Sequence, residues 1–570
     1  MGIRIKTDTP PKYATMKELF FTSCDTYASQ ITMIQSKDKN TEELLTYAEL
    51  KRNVTALGAS LLDMGLRKKH IGIIGENSIE WMTAYYSIVS GVGTAVPLDK
   101  ELDVETLGYQ VAYSDCEAVF VSGKCMSKAE QIVDMCPGVK HWIVMRPEFA
   151  KEIPDNFHVF RDLIKEGGRM RDKMDEYKDA EVLPEDLCDI IFTSGTTGAN
   201  KGVMLSHKNV CAVVFGSLTN IVLRKVVRRS LACLPINHSY EKNCHVICNL
   251  CIGKTLCIND DLMHLAKNVT YYDPEVSIMV PMILETLQHR VEAEVRKTGL
   301  GAHMEYGIKF SNALRKFGID QREKYFMPIL ANFGKNFRRV VVGGAPLKEE
   351  TRRFYDNIGI TVVNGYGITE CGPLVASNFF SYQKPGSVGR VIPGCEVKIA
   401  NPDKNGDGII MVKGDNVMMG YYKDPESTKR VLTEDGWLDT GDIGHMDHQG
   451  FLYISGRVKN LIILSNGKNV YPEEIEDMIT SKIPYIKEIV VYADEEGTGI
   501  YANAFLDADY LQAHEVSDPY EYLMNDVRTF NKSVPPFKRI TDVHISKEEF
   551  EKTTTKKIKR YKVEKVYQNN

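Results

Sequence analysis

The chain is 570 residues long, 43% hydrophobic and 26% charged, with a formal net charge of −5. That length is too great for one core, so two or more domains are expected, and the ordinary composition gives no global argument for nucleic acid or an anionic surface as partner. The first residues lack an apolar run of signal-peptide type and no apolar stretch is long enough to span a bilayer, so the 13 cysteines read as reduced thiols in a cytosol.

Residues 1–69 are mixed, with helical spacing over 47–64. Short apolar runs at 71–75, 94–98, 118–121 and 142–145 read as strands, and 80–89 as an apolar helix between the first two. Alternation of this kind implies a parallel sheet with helices on its faces. A further strand ends in Ile190-Ile191-Phe192 and runs into Thr193-Ser194-Gly195-Thr196-Thr197-Gly198-Ala199-Asn200-Lys201-Gly202, before an apolar recovery at Val203-Met204-Leu205. Glycines let backbone N–H groups approach an anion, the hydroxyls add donors, and Lys201 adds a mobile cation. That is triphosphate-cradle chemistry, although no Gly-Lys is followed by Ser or Thr as in a Walker loop. The plain alternative is a polar surface turn.

Beyond it, Leu234-Pro235-Ile236-Asn237-His238 places a histidine after a proline, more often a structural feature than a functional one. Cys244, Cys248 and Cys251 have the spacing of a radical-SAM iron–sulfur site, but the segment reads as one continuous buried helix and core packing explains the cysteines better. Residues 282–337 read as an inserted helical pair with a solvated, charged face. Next, the strand Arg339-Val340-Val341-Val342 ends in Gly343-Gly344-Ala345-Pro346, small residues that leave room for a ligand at the carboxyl edge of a sheet. Asn364-Gly365-Tyr366-Gly367-Ile368-Thr369-Glu370 has the same character. Tyr366 suits a base, Thr369 a phosphate and Glu370 a Mg²⁺ ion. Residues 396–458 turn β-rich and hold Asp442, a carboxylate suited to a ribose diol, and Arg457. The last 110 residues mix strand and helix and end in a basic tail that includes Lys556 and Lys557.

Taken in series, Thr-Ser-Gly-Thr-Thr-Gly, Tyr-Gly-Ile-Thr-Glu, Trp-Leu-Asp-Thr-Gly-Asp and Gly-Arg-Val-Lys-Asn resemble the adenylate-forming superfamily, and within it the long-chain acyl-CoA synthetases. The resemblance covers nearly the whole chain and implies an α/β fold. A large N-terminal region of α/β subdomains plus a β-rich subdomain (1–458) would precede a small mobile α+β lid (459–570). It implies two half-reactions: a carboxylate attacks the α-phosphate of ATP to give acyl-AMP and pyrophosphate, then a thiol displaces AMP. By this resemblance Thr193, Ser194, Gly195, Thr196, Thr197, Gly198 and Lys201 hold the β- and γ-phosphates. Tyr366 stacks on adenine, with Gly343, Gly344, Ala345 and Pro346 on its other side. Thr369 meets the α-phosphate, Glu370 binds Mg²⁺, and Asp442 supported by Arg457 holds the ribose. Lys459 falls at the hinge, His238 near the carboxylate, and Lys557 matches the lysine that bridges carboxylate and ATP oxygens. Two departures stand out: Asn200 where the loop usually has proline, and Lys556 where the tail usually has glycine.

Gly367 lies where relatives restricted to very small acids carry a bulky residue, so a deep pocket and a medium- or long-chain fatty acid are expected, with Val213, Val214, Phe215 and Leu218 as candidate lining. Aryl or branched acids stay open, as does a carrier-protein thiol in place of coenzyme A. A catalytically silent nucleotide-binding protein is argued against by the joint presence of Lys201, Glu370, Asp442 and Lys557. No nucleic-acid partner is expected, the location is expected to be cytoplasmic, and a peripheral membrane contact would suit a lipid substrate.

Overall fold

The computed structural model describes residues 9–36, 41–194, 200–221, 227–259, 261–299, 301–465, 468–552 and 558–567. The chain divides into a large unit (1–347, 351–396 and 412–438) and a small one (348–350, 397–411 and 439–570). In the large unit, His70–Ile74, Thr94–Leu98, Cys116–Ser122, His141–Met145 and Phe157–Val159 run parallel, as their alternation with helices predicts. Each is a nearly continuous apolar run, the pattern of a strand covered on both faces. The helix Ile79–Val89 is buried along its whole length, which fits its apolar residues on every side. Tyr47–Asp63 starts at a capping box in which Thr46 and Glu49 satisfy each other's backbone N–H groups. On the far side of this eight-stranded sheet, Leu187–Ser194 joins parallel to Thr94–Leu98, and Asn200–Ser206 folds back antiparallel upon it.

A second sheet places Ile31–Ser36, Thr255–Ile258, Arg229–Ala232, Val276–Met279, Arg339–Val342 and Thr361–Gly367 side by side, all parallel. Strands 339–342 and 276–279 lie in one extended core cluster, with Phe337, Val340, Val342, Ile278 and Met279 almost wholly excluded from water.

Two readings need amending. The helix carrying Cys244, Cys248 and Cys251 is unbroken from Ser239 to Cys251, as read, but it widens to a π-helix over Lys242–Ile247, which sequence did not indicate. A wide turn of this kind turns side chains off the regular α-helical spacing. The three cysteines are nevertheless buried, and burial pushes the Cys244 thiol up to about 12, away from the thiolate a cluster requires. The insertion is four helices, Pro281–Lys297, Gly301–Arg315, Arg322–Tyr325 and Met327–Leu330, and its outer face carries aromatic side chains beside the expected charges.

In the small unit, Ile486–Ala493 pairs antiparallel with Ile500–Leu506, and Ile540–Ser546 joins the latter in parallel. The helices Pro472–Lys482 and Pro519–Asn531 cover this sheet through Ile475, Ile479, Leu523 and Val527. Among the described residues, no helix is long and apolar enough to cross a membrane.

Candidate active site

The strand Leu187–Ser194 and its partner Asn200–Ser206 form a hairpin in which Thr193 pairs with Lys201 beside the connection. Gly195, Thr196, Thr197 and Gly198 lie in its connection, outside the described residues, as does the side chain of Ser194. Gly202 is needed at the foot, since a Cβ there would stand 2.9 Å from Ile190 Cγ2 and 3.4 Å from Tyr422 Cβ. A third short strand, Gly420–Tyr421, pairs with the hairpin and sets Tyr421 opposite Val203. The Tyr421 hydroxyl donates to Glu370 Oε1 at 2.9 Å, and Lys201 Nζ stands 4.7 Å from the centre of the same ring. The Met418 N–H donates to the Glu370 carbonyl at 2.8 Å. Lys201 and Glu370, far apart in sequence, are thus gathered around one tyrosine. Burial, and then the Glu370 carboxylate, push the Tyr421 phenol well above its ordinary range, so it stays a donor. Sequence reasoning passed over Tyr421; its one signal is an aromatic pair directly after Gly420 in an otherwise polar turn.

The remaining large-unit residues sit where parallel strands leave their sheets. Gly343 to Pro346 follow Arg339–Val342, and Tyr366 lies near the end of the neighbouring Thr361–Gly367, so both segments open at one carboxyl edge. Gly343 is buried against the Tyr240 ring, where a Cβ would come within 3.0 Å of Cζ, and the Tyr240 hydroxyl donates to the Val341 carbonyl at 3.3 Å. Residues 344–346 are exposed. Tyr366 is half-buried and pairs across the strands with Ala376, and Thr369 and Glu370 stand in the tight turn Thr369–Cys371. Gly367 is fixed by a backbone crossing: a Cβ would fall 1.9 Å from the Pro373 carbonyl oxygen. Its lack of a side chain therefore carries no information about pocket depth.

His238 opens the turn after Arg229–Ala232, with Nε2 3.9 Å from Asp99 Oδ2. Asn77 ties this turn down, donating to the Leu234 carbonyl at 2.7 Å and accepting from the Ile236 N–H at 3.0 Å. Asn77 and Asp99 follow parallel strands of the first sheet, so the edges of both sheets meet at His238. A small apolar cavity of about 20 Å³ is lined by Leu218, Ile221, Cys244, Ile252, Ile278 and Val341, with His245 in its wall. Of the four residues expected to line a pocket, Leu218 lines this cavity; Val213 and Val214 are buried, and the half-buried Phe215 has Lys12 over its ring at 5.8 Å.

A buried polar cluster links the hairpin to this helix. Lys242 contacts Asp189, on the hairpin strand, and donates to the Tyr85 hydroxyl at 3.1 Å, with Lys242 and Asp189 wholly excluded from water. Neither member was singled out from sequence, where a lone Lys and a lone Asp carry no sign of being buried.

In the small unit, Leu438–Met446 and Phe451–Arg457 pair with Asp442 directly opposite Arg457, and Arg457 Nε donates to Asp442 Oδ1 at 2.6 Å. Asp442 is buried, and its own N–H donates to Thr440 Oγ1 at 3.1 Å. Lys459 occupies an exposed turn, Val458–Asn460. Lys557 lies outside the described residues, but both feet of its segment are held. Lys552 and Ile558 form a bridge, and Arg560 grips Glu476 with bonds of 2.8 and 2.7 Å and donates to the Val491 carbonyl at 2.9 Å.

Sheets whose parallel strands bring small-residue turns to their carboxyl edges, with a lysine-bearing hairpin and the Glu370 carboxylate within the same unit, are the framework of a nucleotide-binding α/β protein. The chain belongs to the AMP-binding enzyme family, whose model matches residues 20–422, and the model of the AMP-binding enzyme C-terminal domain matches 459–570. It is similar to the long-chain-fatty-acid–CoA ligases ACSBG2 of Xenopus laevis and ACSBG1 of Rattus norvegicus. Each is 28% identical, over 85% and 84% of this chain and 68% and 69% of the relative. A long-chain-fatty-acid–[acyl-carrier-protein] ligase, AEE15 of Arabidopsis thaliana, is 24% identical over 85% of this chain and 75% of its own. Among solved structures, the anthranilate CoA ligase AuaEII with anthranoyl-AMP superposes with a TM-score of 0.76 at 18% identity, covering 97% of both chains. ATP-bound MatB from Rhodopseudomonas palustris gives 0.74 at 21%, covering 96% of this chain and 98% of its own.

Proposed function

We propose that this protein is an acid–thiol ligase that activates a medium- or long-chain fatty acid with ATP, as acyl-AMP, and passes the acyl group to coenzyme A. The observation that carries the reading is the Tyr421 junction, which holds the Glu370 carboxylate beside Lys201 at the mouth of a Gly/Ser/Thr hairpin. A carboxylate is a poor acyl donor because its oxygen leaves badly, and adenylation supplies a good leaving group. Catalysis then needs alignment and charge neutralisation, with no protein nucleophile.

In this reading Thr193, Ser194, Gly195, Thr196, Thr197, Gly198 and Lys201 hold the β- and γ-phosphates, and Thr369 meets the α-phosphate. Gly343, Gly344, Ala345 and Pro346 line one side of the adenine, and Tyr366 stacks on the other. Asp442 takes the ribose hydroxyls, fixed in direction by Arg457. Glu370 is a hard oxygen donor already oriented by a hydroxyl, which suits Mg²⁺. When bound, that ion supplies neutralisation of phosphate charge. His238 orients the acid's carboxylate, Lys459 is the hinge of a C-terminal lid that begins there, and Lys557 enters with that lid to bridge carboxylate and phosphate oxygens. A cytoplasmic location and passing contact with a membrane that holds the substrate belong to the same proposal.

The test is ATP-dependent pyrophosphate release over acids from acetate to stearate plus benzoate, with thioester measured with and without coenzyme A. Release that rises with chain length, with a thioester that requires coenzyme A, is expected. Release without any coenzyme A thioester would move the assignment to a carrier-protein ligase. Release that is greatest with benzoate would make this an aryl-acid enzyme.

A further inference from the structure

The outer face of the insertion has a composition that folding alone does not account for. The helix Gly301–Arg315 already buries one apolar edge, since Met304 and Ile308 pack against the core and Ser311 is fully enclosed. A surface helix ordinarily has one such edge and a polar face opposite. Here a second stripe points outward. Tyr306 and Phe310, one turn apart, lie parallel with centroids 6.4 Å apart and planes at 6°. Tyr325 of the next helix meets Phe310 edge-on at 5.8 Å. Phe317 continues the spacing in the turn beyond, 81% exposed, and Ile319 and Met327 stand out with it, 47% and 60% exposed. Exposed aromatics held against one another in this way form an interaction surface.

Charge decides the partner. Residues 301–327 carry five Lys or Arg against three Asp or Glu, a local excess of positive charge on a chain whose net charge is −5. The acidic side chains are each taken up, Glu305 by Lys309, Asp320 by Arg322 and Glu323 by Arg338. Among the described residues no carboxylate pairs with Lys316 or Lys324, which flank Phe317 and Tyr325 in sequence. A second copy meeting this face would bring the same cations together, whereas an anionic lipid surface compensates them. Tyr and Phe at headgroup depth with lysines reaching outward is the chemistry of an interfacial anchor.

We propose that this face docks the protein on anionic phospholipid surfaces, with the Phe310–Phe317 stripe seated at the headgroup boundary. The insertion lies between strands Val276–Met279 and Arg339–Val342, which also wall the apolar cavity, so docking brings the membrane to the subdomain that takes the acid. Only this last point rests on the fatty-acid reading.

Flotation of the full chain with phosphatidylcholine vesicles, with and without about one-quarter phosphatidylserine, tests it. The chain is expected to float with the mixed vesicles and much less with the neutral ones. Phe310→Ser with Phe317→Ser should lower the bound fraction about tenfold at an unchanged thermal midpoint, and Lys316→Glu with Lys324→Glu should abolish the preference for phosphatidylserine. No flotation of the unmodified chain, or flotation that survives both double variants, would overturn the proposal. So would a dimer in light scattering that the Phe310/Phe317 variant converts to monomer while vesicles stay unbound. Flotation needs neither ATP nor acid turnover, so failure of the ligase assay and failure of docking are separate results.

Discussion

Tyr421 gives the site its coherence at the residue scale. Its backbone is fixed by pairing with the hairpin, its N–H donates to Thr428 Oγ1 at 2.9 Å, and its hydroxyl is spent on Glu370. Replacing it by phenylalanine keeps the ring beside Lys201 and deletes one hydrogen bond to a carboxylate, an interaction worth about 1.5–3 kcal/mol. Tyr421→Phe should therefore lower kcat/KM for ATP by about ten- to a hundredfold with little change in KM for the acid. Pyrophosphate exchange at varied ATP measures this, and an unchanged ATP dependence would remove Tyr421 from the proposed site. The contrast with Glu370 shows what sequence can yield. Glu370 was legible because it closes a short pattern of small and aromatic residues. Tyr421 acquires its role only by a strand pairing that brings residue 421 beside 203, and no local spacing encodes that. Gly367 is the converse case, a residue legible by resemblance whose physical reason is a carbonyl 1.9 Å from any Cβ.

At the scale of elements, the strands and helices of the first sheet were readable because each is a short apolar run bounded by turns. The π-helix at Lys242–Ile247 was not, because a segment buried on every side, polar residues included, has no periodicity to betray a change of pitch. The C-terminal stem is the element on which the proposed lysine depends. Lys557 is proposed to act in adenylation alone, so Lys557→Ala should abolish pyrophosphate release while thioester formation from supplied acyl-AMP is largely kept; equal loss in both would refute the assignment. Arg560 anchors the near foot of that segment with one guanidinium nitrogen on both Glu476 oxygens and the other on the Val491 carbonyl, and it draws back a carboxyl that burial pushes up. A lysine has one nitrogen and cannot serve the carboxylate and the carbonyl from two. Arg560→Lys is therefore expected to copy the Lys557 defect in weaker form, cutting adenylation about tenfold and sparing thioester formation. Comparable loss in both half-reactions would show that the stem does no more than hold the small unit together.

The stability of the whole molecule should carry the mark of one ring at the start of the hairpin's outgoing helix. His207 is buried where the helix His207–Asn220 meets the N-terminal helix Met16–Thr26, and its Nδ1 accepts the Met16 N–H at 3.3 Å. Only the neutral ring can accept there, and burial holds its pKa down at about 4 against an ordinary 6.5, with Asp186 opposing weakly. Between those two values the unfolded chain binds a proton that the native ring refuses, so stability falls as pH drops through the window and is fully present above it. The difference amounts to about 3 kcal/mol by pH 4, enough to loosen the N-terminal helix from the sheet that carries the hairpin. Asn at this position keeps an acceptor near Nδ1 and has nothing to titrate. His207→Asn should melt somewhat lower than the unmodified chain at pH 7, through lost packing, yet lose less on acidification, so that the two thermal midpoints converge as pH approaches 4.5. Parallel curves across that range would mean that His207 takes up its proton without strain, and that the acid sensitivity of the fold lies in other groups.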